Sequence, residues 1–135
     1  LKQVDQAERL LRDGLREVPG DPELLLELGR VLYEDRKDEA RARTVWELGL
    51  KTWNEREFRK ESPNFFLVAQ LLGNLATLEE KAGHPEVAIR HLERLSGISP
   101  NKDSIARWIE TLRHPGAEAP RAESKAGDNQ TPRHP

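Results

Sequence analysis

Apolar side chains recur along most of the chain at intervals of three and four positions, which places them on one stripe of an α-helix. This periodicity, with pairs such as Asp21-Pro22 that favour helix starts, predicts six helices. We expect these helices at Val4–Val18, Pro22–Arg36, Asp38–Trp53, Pro63–Ala82, Pro85–Gly97 and Asp103–Arg113. No stretch sustains the alternation of apolar and polar positions that is typical of a strand, so the predicted fold class is all-α.

Two segments fall outside this pattern. Residues 54–61 mix acidic and basic side chains, and they fit either an extension of the third helix or a charged loop. Residues 114–135 contain no large apolar side chain, so burial there cannot offset the entropy that ordering would cost. The sequence therefore predicts one helical domain over residues 1–113, followed by a disordered tail over residues 114–135.

Two short patterns repeat within the helical region. A small residue, a large residue, a small or apolar residue and a helix breaker occur at Ala7-Leu11-Gly14-Pro19, Ala88-Leu92-Leu95-Pro100 and, with Asn as the breaker, Ala42-Trp46-Gly49-Asn54. A second pattern precedes two of these, at Leu25-Leu28-Gly29-Leu32 and Leu72-Leu75-Ala76-Glu79. The small residues Gly29 and Ala76 of the second pattern predict that a neighbouring helix approaches closely.

These two patterns in succession resemble the tetratricopeptide repeat, a helix–turn–helix unit of about 34 residues. The better match covers residues 72–100, while residues 25–54 and 4–19 match a second unit and the latter half of another. The resemblance covers residues 4–100 in all. It implies a short superhelix of antiparallel helical hairpins, in which residues 103–113 form a C-terminal capping helix.

The resemblance also implies a concave face, lined by the first helix of each hairpin, on which a polypeptide segment can bind. Once the repeated core positions are set aside, the candidate groove residues that remain on the first helices are Leu26, Arg30, Tyr33, Glu34, Gln70, Asn74, Thr77 and Lys81. The last helix adds Arg107 to this set. An exposed Leu26 and Tyr33 beside Arg30 would suit a peptide with an apolar side chain and a carboxylate. The alternative is that these residues form an ordinary solvated helix face.

The aromatic residues divide between core and surface. Trp46 occupies the large position of a repeated pattern, which predicts that it packs in the core. Trp108, on the last helix, is expected to be half-exposed. Phe65 and Phe66 open the long fourth helix, and we predict that they pack in the core; if both rings were exposed, they would mark a docking patch.

Composition excludes several kinds of chemistry. The chain has no Cys, and its four His do not follow a metal-binding spacing, so we expect neither a metal site nor a cofactor. The 22 basic and 24 acidic residues nearly cancel, which argues against direct binding of nucleic acid. No apolar run approaches the roughly 20 residues of a membrane-spanning helix, so membrane insertion is not expected. The carboxylates fall on polar helix faces, where nothing would tune them for acid–base catalysis.

The expected function is therefore that of a non-catalytic protein–protein interaction module. Residues 39–50 also resemble the half-a-TPR repeats of RNA-processing assemblies, which implies a scaffold subunit that binds proteins and not RNA. A small all-α enzyme with an unrecognised site is the third alternative. Because Val4–Val18 lacks its hairpin partner, we predict that the chain is a fragment of a longer array or self-associates through this helix. No targeting signal is evident, so the location is unknown, with the cytoplasm as the default.

Overall fold

A computed structural model describes residues 2–114 as six α-helices, with no strand in that range. The helices are α1 (Lys2–Glu17), α2 (Pro22–Arg30), α3 (Glu39–Glu55), α4 (Phe65–Lys81), α5 (Pro85–Ile98) and α6 (Lys102–Arg113). The all-α prediction is confirmed. Apart from residue 114, the tail predicted over residues 114–135 lies outside the described residues.

Helix starts follow the side chains that satisfy free backbone N–H groups. Asp21 caps α2 by accepting a hydrogen bond from the N–H three residues later (2.9 Å), and Pro22 takes the first helical position. The start predicted at Pro63 is two residues too early. Asn64 is the actual cap of α4, because its side-chain oxygen accepts the N–H of Leu67 (3.1 Å).

Both connections that flank α3 contain a short helical turn. A π-helical turn, Val31–Asp35, continues α2, which accounts for the long second helix that the periodicity predicts. At the other end, α3 stops at Glu55 and a short 3-10 turn, Glu57–Arg59, follows. Residues 54–61 therefore combine the two alternatives, since they add two residues to α3 and then turn away.

Contacts along α3 show that α2 runs antiparallel to it. Tyr33, in the turn after α2, lies against Trp46 in the first half of α3, with ring centroids 5.6 Å apart. Leu25, near the start of α2, meets Gly49 in the second half of α3, where a Cβ would lie 3.3 Å from the Cβ of Leu25. Later residues of α3 thus pair with earlier residues of α2.

The positions of contacting residues also show that α4 runs antiparallel to α3. Arg43, near the start of α3, bonds Glu79 near the end of α4, whereas Trp53, near the end of α3, packs on Phe65 at the start of α4. Each helix packs against the next one in the chain, and α2 also contacts α4. Consequently α2 and α4 run parallel, side by side, with α3 behind both.

Trp46 confirms its predicted place in the core. The ring is buried, and the indole N–H donates to the carbonyl oxygen of Leu26 (3.0 Å). Gly29 lies directly beneath it, since a Cβ on Gly29 would be 2.1 Å from the indole nitrogen. The close approach predicted at Gly29 is therefore confirmed, and it is what allows α3 to pack on α2.

The apolar stripe of α1 packs against α2. Leu11 and Leu15 are partly buried against the core, and Gly14 faces the side chain of Leu24 on α2. Arg36 adds ion pairs from the turn after α2 to the acidic side chains of α1. Self-association through this helix stays a prediction, with exposed Leu10 as the large apolar side chain on its outer side.

Candidate functional site

The structure divides the four groove candidates at α2 into exposed and packed positions. Arg30 and Glu34 are exposed, and Tyr33 is half-buried against the indole of Trp46. Burial raises the pKa of Tyr33, and the nearby charge of Glu39 adds to this effect. Tyr33 therefore packs on Trp46 with one part of its ring and keeps another part accessible to solvent.

Leu26 corrects the sequence prediction. It was expected to be exposed in the groove, but it is only 7% exposed and belongs to the hydrophobic core. The reason is that α2 lies against α1, α3 and α4, so three sides of the helix are covered. Leu26 therefore does not offer an apolar contact to a partner.

Arg30 already forms ion pairs with two carboxylates that lie near it in the chain. Its Nε lies 3.2 Å from a carboxylate oxygen of Glu27, and its Nη1 lies 3.5 Å from Glu34. The hydrogen bond to Glu27 is the main reason that the pKa of Arg30 is raised. A guanidinium shared between two carboxylates is a poor receptor for a third, so this geometry does not favour the expected recognition of a peptide carboxylate.

The four candidates on α4 lie along its solvent-facing side. Gln70 and Lys81 are exposed, while Asn74 and Thr77 are half-exposed. Gly73 lies on the same side, and beyond its chain neighbours and the backbone of its own helix no atom lies within 4 Å of the position that its Cβ would occupy. This side of α4 is therefore open down to the backbone.

Phe66 is a surface residue that the sequence analysis missed. We predicted that both Phe65 and Phe66 pack in the core, but they are 42% and 73% exposed. Phe65 packs on Trp53 with ring centroids 5.5 Å apart, whereas Phe66 lies one position further round the helix. Helical phase could have revealed it, since Phe66 shares a stripe with Gln70 and Thr77.

Arg107 lies apart from the other candidates. It is exposed on α6, with its guanidinium 3.5 Å from the hydroxyl of Ser104. In the described part of the chain, no hydrogen bond or ion pair joins Arg107 to another groove candidate. The adjacent Trp108 is half-buried, as predicted, and its indole N–H donates to the carboxylate of Glu80 on α4 (2.8 Å).

A buried carboxylate was not expected from the sequence. Glu79 is 2% exposed, and its oxygens accept hydrogen bonds from Nε (2.8 Å) and Nη2 (3.2 Å) of Arg43. The Nδ1 of His84 lies 2.7 Å away. Burial by itself would raise the pKa of Glu79, but the bonds from Arg43 and His84 outweigh it and hold the pKa below its usual value. A carboxylate that is ionised and fully bonded is suited to holding helices together, not to transferring protons.

His91 is a second group whose protonation is coupled to folding. Its Nε2 is buried, without a hydrogen-bond partner in the described part of the chain. Burial is the main cause of the lowered pKa of His91, helped by Arg90 and Arg94 and opposed by Glu79. The folded protein therefore disfavours the charged form of this imidazole.

This coupling predicts a pH dependence of stability. Because its pKa is lower in the folded state, His91 binds more protons when unfolded, so the free energy of unfolding should fall as the pH drops below about 6.5. Chemical denaturation at a series of pH values should show a smaller fall in His91→Leu than in the native sequence.

Other observations define what the surface contains. In residues 2–114, no three His, Asp or Glu side chains converge to hold a metal ion. None of the described helices combines the length and apolar character needed to cross a membrane. Shallow surface depressions lie on α1 and between α5 and α6, away from the groove candidates. No protein-family model, curated protein or solved structure matches this chain.

Proposed function

We propose that this chain is a non-catalytic protein–protein interaction module that binds a segment of a partner polypeptide on the adjoining open sides of α2 and α4. We call this surface the α2–α4 face and define it by Glu23, Glu27, Arg30, Glu34, Phe66, Gln70, Gly73, Thr77 and Lys81. The main support is the exposed ring of Phe66 in line with small and polar side chains. An apolar anchor within a polar surround is characteristic of binding surfaces.

The order of the helices supports a TPR-like arrangement for this module. Helix α3 packs antiparallel to α2 and to α4, and the first helices of the two complete pairs, α2 and α4, contact each other. The small residue Gly29 and the large residue Trp46 of the two sequence patterns meet where α3 packs on α2. In stacked hairpins of this kind, the first helices form a continuous surface for a ligand.

Differential affinity capture tests the proposal. The full chain and a variant with Gln70→Arg and Thr77→Arg are used as baits in extract of the source cells, and retained proteins are quantified by mass spectrometry. Both positions have room for arginine at the surface, so circular dichroism should show unchanged helicity. We expect the variant to lose about tenfold or more of a specific partner, because two arginines obstruct the α2–α4 face.

The matched control carries Thr44→Arg and Leu48→Arg, which are exposed and four residues apart on α3. This control should retain the same partner as the unmodified chain. Equal retention by all three baits would contradict the proposal. If the proteins that the Gln70→Arg and Thr77→Arg variant no longer retains include subunits of an RNA-processing complex, the result would favour the scaffold alternative.

A further inference from the structure

The α2 side of the α2–α4 face is acidic. Glu23, Glu27 and Glu34 are exposed there with Arg30, so three carboxylates and one guanidinium give this strip a net charge of −2 (1 − 3). Arg30 is divided between Glu27 and Glu34, and Glu23 forms no ion pair with any described residue. The four side chains of this strip thus carry an excess of negative charge, and the guanidinium of Arg56 lies beside the start of α2, where it donates to the carbonyl oxygen of Pro19 (3.0 Å).

The α4 side differs in character from the α2 side. It begins with the exposed Phe66 and continues through Gln70, Gly73 and Thr77, which carry no charge, before it reaches Lys81. Along a helix, Phe66 and Lys81 are about 22 Å apart. On the open side of α4, the side chains that follow Phe66 are therefore uncharged as far as Lys81.

The relative levels of the two helices bring Phe66 and Glu23 to the same end of the face. Leu25 of α2 and Leu71 of α4 both pack on Gly49, so these two residues are at the same level. With the helices parallel, Glu23 lies about 3 Å before that level and Phe66 about 7.5 Å before it. The apolar contact at Phe66 therefore lies at the same end of the face as Glu23, and the carboxylates of Glu27 and Glu34 follow along α2 towards the end that Lys81 occupies.

We propose that the ligand of the α2–α4 face is a basic polypeptide segment that places an apolar side chain on Phe66 and Lys or Arg side chains along the carboxylates of α2. This inference rests on the proposed function and specifies its partner. Opposite charge favours encounter and orientation, while the apolar contact contributes binding free energy. Nucleic acid does not fit the same surface, because its phosphates would face Glu23, Glu27 and Glu34.

Two synthetic peptides test the charge preference directly. Both are fluorescently labelled 14-residue amphipathic sequences with identical leucine positions; one carries Lys and the other Glu at every charged position. Fluorescence anisotropy with the full chain should show binding of the Lys peptide at least about tenfold tighter than that of the Glu peptide. Raising the salt concentration should weaken binding of the Lys peptide, because screening reduces the attraction between exposed charges.

Variants locate the binding. The double change Glu23→Gln and Glu27→Gln removes the net charge of the α2 strip, and Phe66→Ser removes the apolar anchor; each should weaken binding of the Lys peptide about tenfold. The matched controls Glu47→Gln and Leu48→Ser alter exposed positions on α3 and should bind like the unmodified chain. Helicity is checked for every variant by circular dichroism.

The outcomes separate this inference from the proposed function. Tighter binding of the Glu peptide, no binding of the Lys peptide, or Lys-peptide binding that is unchanged by both face variants would overturn the basic-ligand inference. If differential capture still returned a partner that depends on Gln70 and Thr77, the interaction function would stand with a ligand of other chemistry. If capture also failed to distinguish the variants, both proposals would fail.

Discussion

Replacing Gly29 with alanine should destabilise the protein by about 3 kcal/mol, although alanine is the better helix former. The new Cβ would lie 2.1 Å from the indole nitrogen of Trp46, so either the ring or the α2–α3 contact must move. Movement of the ring would also break its hydrogen bond to the carbonyl oxygen of Leu26, which is buried with it. Urea denaturation of Gly29→Ala, followed by circular dichroism, measures the effect.

Gly73 offers a control with the same chemical change. It also lies inside a helix, but no atom is within 4 Å of the position of its Cβ. Gly73→Ala should therefore stabilise the protein by about 0.5–1 kcal/mol, which is the ordinary gain in helix propensity. Equal effects of the two substitutions would contradict the close helix approach at Gly29.

The second large effect is expected at Glu79. Glu79→Ala should reduce the free energy of unfolding by about 3 kcal/mol, because it leaves the guanidinium of Arg43 partly buried without its bidentate partner. Urea denaturation at neutral pH measures the loss. Glu93→Ala removes an exposed ion pair with Arg113 and should have little effect. A similar loss in both variants would show that Glu79 is not a specific link between α3 and α4.

The effect of Glu79 should also depend on pH in a defined direction. Its pKa is lower in the folded than in the unfolded state, so its ionised form contributes stability above the unfolded-state pKa of about 4.5. That contribution disappears as the pH falls through the lowered folded-state pKa. The difference in unfolding free energy between the native sequence and Glu79→Ala should therefore be larger at neutral pH than in acid below the folded-state pKa of Glu79.

Periodicity predicted the helices because it reports on a property of each helix alone. A stripe of apolar residues must face a core, and this requirement identified six helices and placed Trp46 correctly. The start of α4 was less predictable, because Pro63 and Asn64 both carry signals for helix initiation and only the backbone path decides between them. The small residue at Gly29 indicated a close contact, although its partner Trp46 became evident only in three dimensions.

The groove was harder to predict because it depends on how several helices cover one another. Leu26 and Tyr33 have similar positions in the helical pattern, yet contacts with neighbouring helices bury Leu26 and leave part of Tyr33 open. Glu79 fits the repeated core position, but the sequence does not show that Arg43 and His84 converge on it. Phe66 was assigned to the core on residue type, whereas its helical phase places it on the open side of α4.

Site-specific photo-cross-linking is the most direct test of the claim that the α2–α4 face binds a polypeptide. The full chain, with benzoylphenylalanine in place of Phe66, is irradiated in extract of the source cells, and a second sample carries the same group in place of Leu48 on α3. We predict a discrete cross-linked polypeptide from position 66 that is absent from position 48 and is competed by excess unmodified chain. Identical products from both positions, or none from position 66, would contradict the claim.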